Sequence, residues 1–294
     1  MSIAVTGATG HLGRLVIADL LEHGVAPGEI TAVVRDPDKA ADLAAGGVRV
    51  HVADYDRPET LKDAFAEGDR VLLISGNDVG RRIPQHTAVV EAAARAGVAQ
   101  LAYTGILGGP AADFTLGDEH RATEELILSS GVPYTFLRNG WYTEVYTANL
   151  PAVLEHGVVI GNAGEGRVAS ASRADYAAAA AVVLTGEGHD SRAYELSGDT
   201  AWSFAEYAAT VAELSGQPVA YQNISGAERQ EILTGVGVPA AFAAVLVDVD
   251  EAIGRGRLAG TTGELSQLTG RPTTPLRETV ALELRALGAL KGDA

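Results

Sequence analysis

Seven residues near the start of the chain, Gly7-Ala8-Thr9-Gly10-His11-Leu12-Gly13, constrain its fold more than any other stretch. They follow Ile3 to Thr6, a run of strand character, and precede Leu12, Leu15, Val16, Leu20 and Leu21, which recur at helical spacing until Gly24. Glycines between a strand and a helix have mechanical roles. The first permits a tight turn, the second lets backbone N–H groups approach an anion at the positive helix end, and the third lets the helix lie close to the strand. Ile30 to Val34 reads as a second strand, so this GxxGxxG motif opens a βαβ unit and predicts dinucleotide binding over a purely structural turn.

The same rhythm continues along the first half. Val48 to Val52, Arg70 to Ile74, Leu101 to Thr104 and Tyr134 to Leu137 predict the third to sixth strands. Asp56 and Glu59 have capping-box spacing ahead of a helix through Phe65, and further helices run through Val89 to Ala96 and Glu124 to Leu128. The class is α/β, a doubly wound parallel sheet with a smaller, mostly helical C-terminal lobe. Past Asn139 the pattern turns irregular through Gly166, before an Ala-rich helix from Asp175 to Leu184 and a further strand at Ala193 to Leu196. Ser203 with Glu206 opens a mostly helical remainder, interrupted by a strand-like Pro218 to Ile224. The expected division is a cofactor domain over residues 1–150, with returning segments near 168–200, and a smaller substrate-cleft lobe over 151–294.

Composition narrows the function classes. The 294 residues are 47% hydrophobic and 20% charged, ordinary for a globular protein, and the net charge of −16 would repel a nucleic-acid backbone. With no cysteine there is no disulfide or thiolate metal site, which fits a reducing compartment and makes the cytoplasm the default. No charged segment precedes the apolar pattern at Ile3, and the longest apolar runs are too short to span a bilayer, so neither export by a signal peptide nor membrane insertion is expected. The seven histidines show no ligand cluster, so no metal is expected. A homodimer is compatible with the sequence.

The end of the second strand distinguishes NAD from NADP, because the adenosine ribose lies there. Arg35 offers a guanidinium for a 2′-phosphate, where an acidic residue would accept from ribose hydroxyls. Asp36 follows it and argues the other way, while Lys39 adds a second positive charge. The balance favours NADPH, with Arg35 as a merely solvated residue the competing reading.

These features combine with Ala53-Asp54-Tyr55, Leu73-Ile74-Ser75-Gly76, Pro84-Gln85-His86 and Asp118-Glu119-His120. More distinctive are Leu137-Arg138-Asn139-Gly140-Trp141-Tyr142, Ala152-Val153-Leu154-Glu155-His156-Gly157, the stretch Ala169 to Tyr176, and Tyr221-Gln222-Asn223. Over nearly its whole length the chain resembles the NmrA-like atypical short-chain dehydrogenases, and within them the type 2 NAD(P)H:quinone oxidoreductases. The resemblance implies a Rossmann domain with a small C-terminal lobe, NADPH across the strand ends and a quinone in the cleft between lobes. By position it implies that Gly7, Ala8, Thr9, Gly10, His11 and Leu12 hold the pyrophosphate and Arg35 the 2′-phosphate. Gly13 completes the glycine turn, Ser75, Gly76 and Asn77 flank the cofactor, and Asn139, Gly140, Trp141 and Tyr142 lie beside the nicotinamide.

A typical short-chain dehydrogenase protonates its substrate with a tyrosine activated by a lysine four residues later. The only lysines here are Lys39, Lys62 and Lys291, preceded at that spacing by Arg35, Pro58 and Leu287, so the pair does not exist. Where it is expected stands His120-Arg121-Ala122-Thr123-Glu124, and Tyr134 and Arg138 lie on a strand, roughly 13 Å apart. Reducing an ordinary carbonyl makes a strongly basic alkoxide that needs a good acid, whereas a quinone yields a weakly basic, phenolate-type anion. The absent base is then compatible with a quinone held in position with a hydrogen bond or water, and equally with no chemistry at all; Asn139 could donate to the quinone oxygen and Tyr142 and Trp141 stack on its ring, with simple packing of the two aromatics the equal alternative. His120 could relay a proton, although a lone helical histidine is more often structural, and His86 reads the same way. Thr104 and Tyr103 are secondary candidates at the end of the fifth strand.

Three functions are compatible with these residues. The first is flavin-free hydride transfer from NADPH to a quinone. The second is an NmrA-like redox sensor that binds dinucleotide and signals to a protein partner, and the third is a reductase or isomerase for another small planar substrate.

Overall fold

The structure, a computed structural model, describes residues 2–76, 78 and 80–292. The chain enters as β1 (Ile3–Thr6) and α1 (His11–Glu22) and continues through β2 (Ile30–Val34), α2 (Ala41–Ala45), β3 (Arg49–Val52) and β4 (Arg70–Leu73). Next come α3 (Arg82–Ala96), β5 (Gln100–Ile106), α4 (Thr115–Ser130), β6 (Tyr134–Asn139), α5 (Glu144–Thr147), α6 (Leu150–His156), β7 (Val158–Gly161) and β8 (Arg167–Val168). Then α7 (Arg173–Thr185), β9 (Arg192–Leu196), β10 (Trp202–Ser203), α8 (Phe204–Ser215) and β11 (Ala220–Asn223) lead to α9 (Gly226–Gly235), α10 (Ala240–Gly254), α11 (Glu264–Thr269) and α12 (Leu276–Ala286). Two compact units result, one of residues 1–111, 116–139 and 173–196, the other of 112–115, 140–172 and 197–294.

The first unit is built on a seven-stranded parallel sheet of order β3-β2-β1-β4-β5-β6-β9. Every residue of β1 and β5 is buried, which follows from covering both faces of a parallel sheet and explains their unbroken apolar character. Ala4, Val33, Val71, Leu73, Leu101, Tyr103 and Phe136 share one face with Val89 and Ala93 of α3 and Ile127 of α4. The alternate residues Ile3, Val5, Ala32, Leu72 and Ala102 are buried on the other face, on the side of α1 and α7. The Ala-rich α7 packs on α1, and Ala177, Ala179, Ala180 and Ala181 are buried. Sheet order reverses between β1 and β4, so the loops after these strands diverge and leave a crevice at their carboxyl ends.

Local detail departs from expectation at three places. The stretch after Asp56 forms only a 3-10 turn at Pro58–Leu61, because Asp54 and Thr60 satisfy the local backbone instead. Asp54 Oδ1 accepts the Asp56 N–H at 3.1 Å, Thr60 Oγ1 accepts the Asp54 N–H at 2.8 Å, and Asp63 then turns left-handed at φ +63°. The fifth and sixth strands each run two residues further than their apolar runs, so β6 carries Asn139 as its last residue. The irregular stretch beyond it contains α5, α6, β7 and β8, short elements of the second unit.

That unit is mostly helical, with a parallel pair of β11 and β7 and an antiparallel pair of β10 and β8. Tyr146, Trp202, Phe204 and Tyr207 form an aromatic cluster with centroids 4.9 to 6.2 Å apart. The Ser203 to Glu206 capping box is present, with the Glu206 N–H on Ser203 Oγ at 3.2 Å. Among the described residues no helix is long and apolar enough to cross a membrane.

Candidate active site

The glycine turn leaves β1 at Gly7, whose φ of +59° is strained for any side chain. Gly10 N–H closes the turn on Gly7 O at 2.9 Å, and Gly10 is the extended N-cap of α1. Gly13 sits on the turn itself: a Cβ there would lie 2.5 Å from Gly7 O and 2.8 Å from Ala8 Cα. No side chain caps α1 and no acidic residue stands in its first turn, so its free N–H groups and positive dipole end suit an anion. Gly7, Gly10 and His11 are exposed and Thr9 half-buried at this edge, while Ala8 and Leu12 point into the core.

Across the switch point, the loop after β4 is fixed by three consecutive amides, each donating to a side chain from a different element. Ile74 N–H donates to Thr6 Oγ1 of β1 at 3.1 Å, Ser75 N–H to Thr104 Oγ1 of β5 at 2.9 Å, and Gly76 N–H to His86 Nε2 of α3 at 3.2 Å. The Gly76 carbonyl accepts from Arg82 Nε at 2.6 Å. Asn77 lies outside the described residues. Since His86 Nε2 accepts, its proton sits on Nδ1, which donates to Thr123 Oγ1 at 2.9 Å, and that hydroxyl donates to Glu119 O at 2.8 Å. Burial, assisted by the charge of Arg82, pushes His86 down to about 4. Burial pushes His120 down to about 3 and raises Tyr103 well above its ordinary value, and the Tyr103 hydroxyl and His120 Nδ1 share a hydrogen bond of 2.7 Å.

At the end of β2, Arg35 is exposed and makes no ion pair among the described residues. Asp36 is engaged with its own turn: Oδ1 accepts the Asp38 N–H at 3.1 Å and Oδ2 lies 3.8 Å from Lys39 Nζ. Arg14, in the first turns of α1, braces this segment through Asp42 at 2.7 Å and the Lys39 carbonyl. Asn139 is buried, with its carbonyl accepting the Leu107 N–H at 2.9 Å. Gly140, Trp141 and Tyr142 belong to the second unit, where Trp141 O accepts the Ala171 N–H at 3.2 Å and Tyr142 bridges Ala171.

The helix position of a catalytic lysine holds Glu124, whose oxygens accept from Arg138 at 2.9 and 2.7 Å, and Arg138 also reaches Glu195 at 2.8 Å. Glu124 is therefore a structural anion. His120 is committed to Tyr103 rather than to an exposed substrate edge. Sequence reasoning missed Arg82, Thr123 and Thr6 as supports. The spacing of Arg82 and His86, four apart on one helix face, was the available signal.

The profile of the NAD(P)H-binding family matches residues 7–187, from the first glycine of the turn to the end of α7. The chain belongs to this family. It is 48% identical over 279 residues to quinone oxidoreductase 2 of Escherichia coli K12, covering 95% of this chain and 97% of that protein. The crystal structure of the Escherichia coli NADPH-dependent quinone oxidoreductase QOR2 with NADPH superposes with a TM-score of 0.92 at 48% identity, over 95% of this chain and 99% of that one. Citrobacter sp. triphenylmethane reductase with NADP(H) matches with a TM-score of 0.92 and 43% identity, over 96% of this chain and all of that one, 100%. The NmrA-like resemblance also holds, as an NmrA-like oxidoreductase of Aspergillus flavus is 28% identical over 95% of this chain.

Two predictions follow from the turn and the histidines. Gly13→Ala forces a methyl group onto backbone atoms and is expected to weaken NADPH binding about tenfold or more, a change of about 1.4 kcal/mol, read by fluorescence titration. The second concerns acid. Both buried rings stay neutral in the fold but gain a proton near pH 6.5 when unfolded, so their stabilisation is complete above 6.5 and is lost as pH falls toward about 4 and about 3. At pH 5 each ring costs about 2 kcal/mol relative to pH 7.5. Urea denaturation at the two pH values should show a smaller loss in His120→Gln than in wild type; equal losses would refute it.

Proposed function

We propose that this protein is an NADPH-dependent quinone reductase that works by direct hydride transfer without flavin. The observation that carries this reading is the end-to-end likeness to Escherichia coli QOR2, named an NADPH-dependent quinone oxidoreductase and crystallised with NADPH. The site agrees with it in two respects. It has a turn and an uncapped helix end suited to a pyrophosphate, and it lacks the Tyr-x-x-x-Lys acid that ordinary carbonyl reduction requires.

In this reading Gly7, Ala8, Thr9, Gly10, His11, Leu12 and Gly13 cradle the pyrophosphate, and Arg35 pairs with the 2′-phosphate. Asp36, occupied by Asp38 and Lys39, leaves that role to arginine. Ser75 and Gly76 flank the cofactor, and Asn139, Gly140, Trp141 and Tyr142 attend the nicotinamide. NADPH, when bound, supplies the hydride that reduces a quinone, which with one proton becomes the hydroquinone. The Asn139 amide donates to a quinone oxygen, and Tyr142 holds the ring in plane. Since the product anion is weakly basic, water can deliver the remaining proton and neither His86 nor His120 needs to act. The reading places the protein in the cytoplasm, as the absence of cysteine suggests, and a homodimer is tested by light scattering.

Stopped-flow oxidation of NADPH by a panel of simple quinones tests this reading, with triphenylmethane dyes as a competing substrate class. Turnover is expected with quinones, and Asn139→Ala should lower kcat more than it alters NADPH affinity. The absence of quinone turnover, together with comparable NADP and NAD binding, would favour the dinucleotide sensor instead. Separately, Arg35→Ala should weaken NADPH at least about tenfold while leaving NADH within about twofold, as expected for a lost charge-assisted contact. Equal losses would remove Arg35 from the phosphate site.

A further inference from the structure

Each amide N–H from Ile74 to Gly76 is already donated to Thr6, Thr104 or His86, so this loop has no backbone donor there for a phosphate. Its Ile74 and Ser75 carbonyls accept no hydrogen bond among the described residues, whereas the Gly76 carbonyl is held by Arg82. A loop with committed donors and open carbonyls recognises a group that donates, and the donating groups of a nicotinamide dinucleotide are its ribose hydroxyls, its carboxamide and the adenine amino group. The pyrophosphate is served from the other side of the switch point, by the uncapped end of α1.

The Ser75 carbonyl shares its planar peptide with the Gly76 N–H and so points away from the acceptor of that N–H; this peptide and the one after it are held by α3 and α4 together. The ring of His86 accepts the Gly76 N–H and is itself fixed by Thr123, while Arg82 grips the Gly76 carbonyl and reaches Glu119 Oε2 at 3.4 Å. Glu119 Oε1 also accepts the Gly80 N–H at 2.8 Å, so the far end of the connection is tied to the same helix. His86 is fully buried at 0% exposure and Arg82 is 7% exposed, so neither competes with water for these bonds. Loss of the ring would leave the Gly76 N–H without an acceptor and free the peptide to turn its N–H outward.

We infer that His86 is a positioning residue for the cofactor, acting through the Ser75–Gly76 peptide to present the Ser75 carbonyl to a donating group of the dinucleotide, a ribose hydroxyl, the carboxamide or the adenine amino group. It touches neither quinone nor nicotinamide. The inference rests on the reading that the loop after β4 flanks the cofactor, and the experiment separates the two.

Hydrogen exchange is measured on the peptide covering Ile74 to Gly76, with and without NADPH, alongside NADPH titration and quinone kinetics. In wild type NADPH is expected to slow exchange there; no slowing would overturn the placement of the loop rather than the role of His86. His86→Ala is expected to raise the NADPH Kd about tenfold with the quinone KM unchanged, the effect of one buried donor left unsatisfied. His86→Gln, whose Oε1 can take the place of Nε2, should return the Kd to within about twofold of wild type. An alanine variant that binds NADPH normally while the wild-type loop is protected overturns the inference. So does a glutamine variant as weak as alanine, or a change confined to quinone KM. If the alanine variant does not fold, Thr123→Val, which keeps the ring but removes its brace along with the hydroxyl's bond to the Glu119 carbonyl, serves in its place and should raise the NADPH Kd several-fold; an unchanged Kd would overturn the inference.

Discussion

The absence of a side chain at Gly13 is the constraint from which the rest of the first unit follows. A helix axis can come down onto the end of its own strand only where backbone meets backbone, and here the closest approach is to Gly7 O and Ala8 Cα. That approach aims the uncapped start of α1 at the crevice beyond β1. Displacing the helix by the width of a methyl group would move the free N–H groups away from any anion bound there and loosen the packing of α1 on the alanines of α7. The anion-binding geometry and the packing of the helix layer are thus one arrangement.

A second consequence concerns how the two sides of the switch point divide their work. On the β1 side the backbone donates, because the first turn of a helix has N–H groups with no internal partner. On the β4 side the backbone accepts, because Thr6, Thr104 and His86 have consumed its donors. Thr6 ends β1 and Thr104 lies two residues before the end of β5, the strands on either side of β4, so the loop is held from left and right by the sheet and from above by α3. A dinucleotide has an anionic centre flanked by hydroxyl-bearing sugars, and the complementary polarity is present before it binds. Preorganisation of this kind spares the ligand the free energy of ordering the loop.

What was legible in the sequence was whatever depends on near neighbours. Gly7, Gly10 and Gly13 announce their turn because strand, turn and helix are consecutive, and the Ser203 to Glu206 box is a three-residue affair. The Asp56 to Glu59 spacing failed for an equally local reason that pattern alone does not weigh: Asp54 and Thr60 offered the backbone better partners. Strand ends were short by two residues in β5 and β6, since apolar alternation stops where the sheet still pairs polar residues such as Arg138 with Glu195. The supports of the β4 loop were beyond reach. His86 could be noticed, but its bond to Gly76 and its brace from Thr123, 37 residues away, exist only once α3 and α4 lie side by side.

The fate of the position that would carry a catalytic lysine shows what the fold did with the space. Glu124 occupies it and binds Arg138, and Arg138 in turn binds Glu195, so the middle of α4 and the ends of β6 and β9 are clamped by one guanidinium. The two carboxylates raise the affinity of Arg138 for its proton further, so the guanidinium keeps its charge. A site with this clamp has given up an ionisable acid in exchange for rigidity at the ends of β6 and β9. Such an exchange is tolerable only if the reaction leaves a weakly basic product. Hydride addition to an ordinary ketone would have to build up a strongly basic alkoxide with no acid to stabilise it, whereas an aromatic phenolate is stable enough to form without one. The clamp and the aromaticity of the proposed substrate are therefore two sides of one constraint.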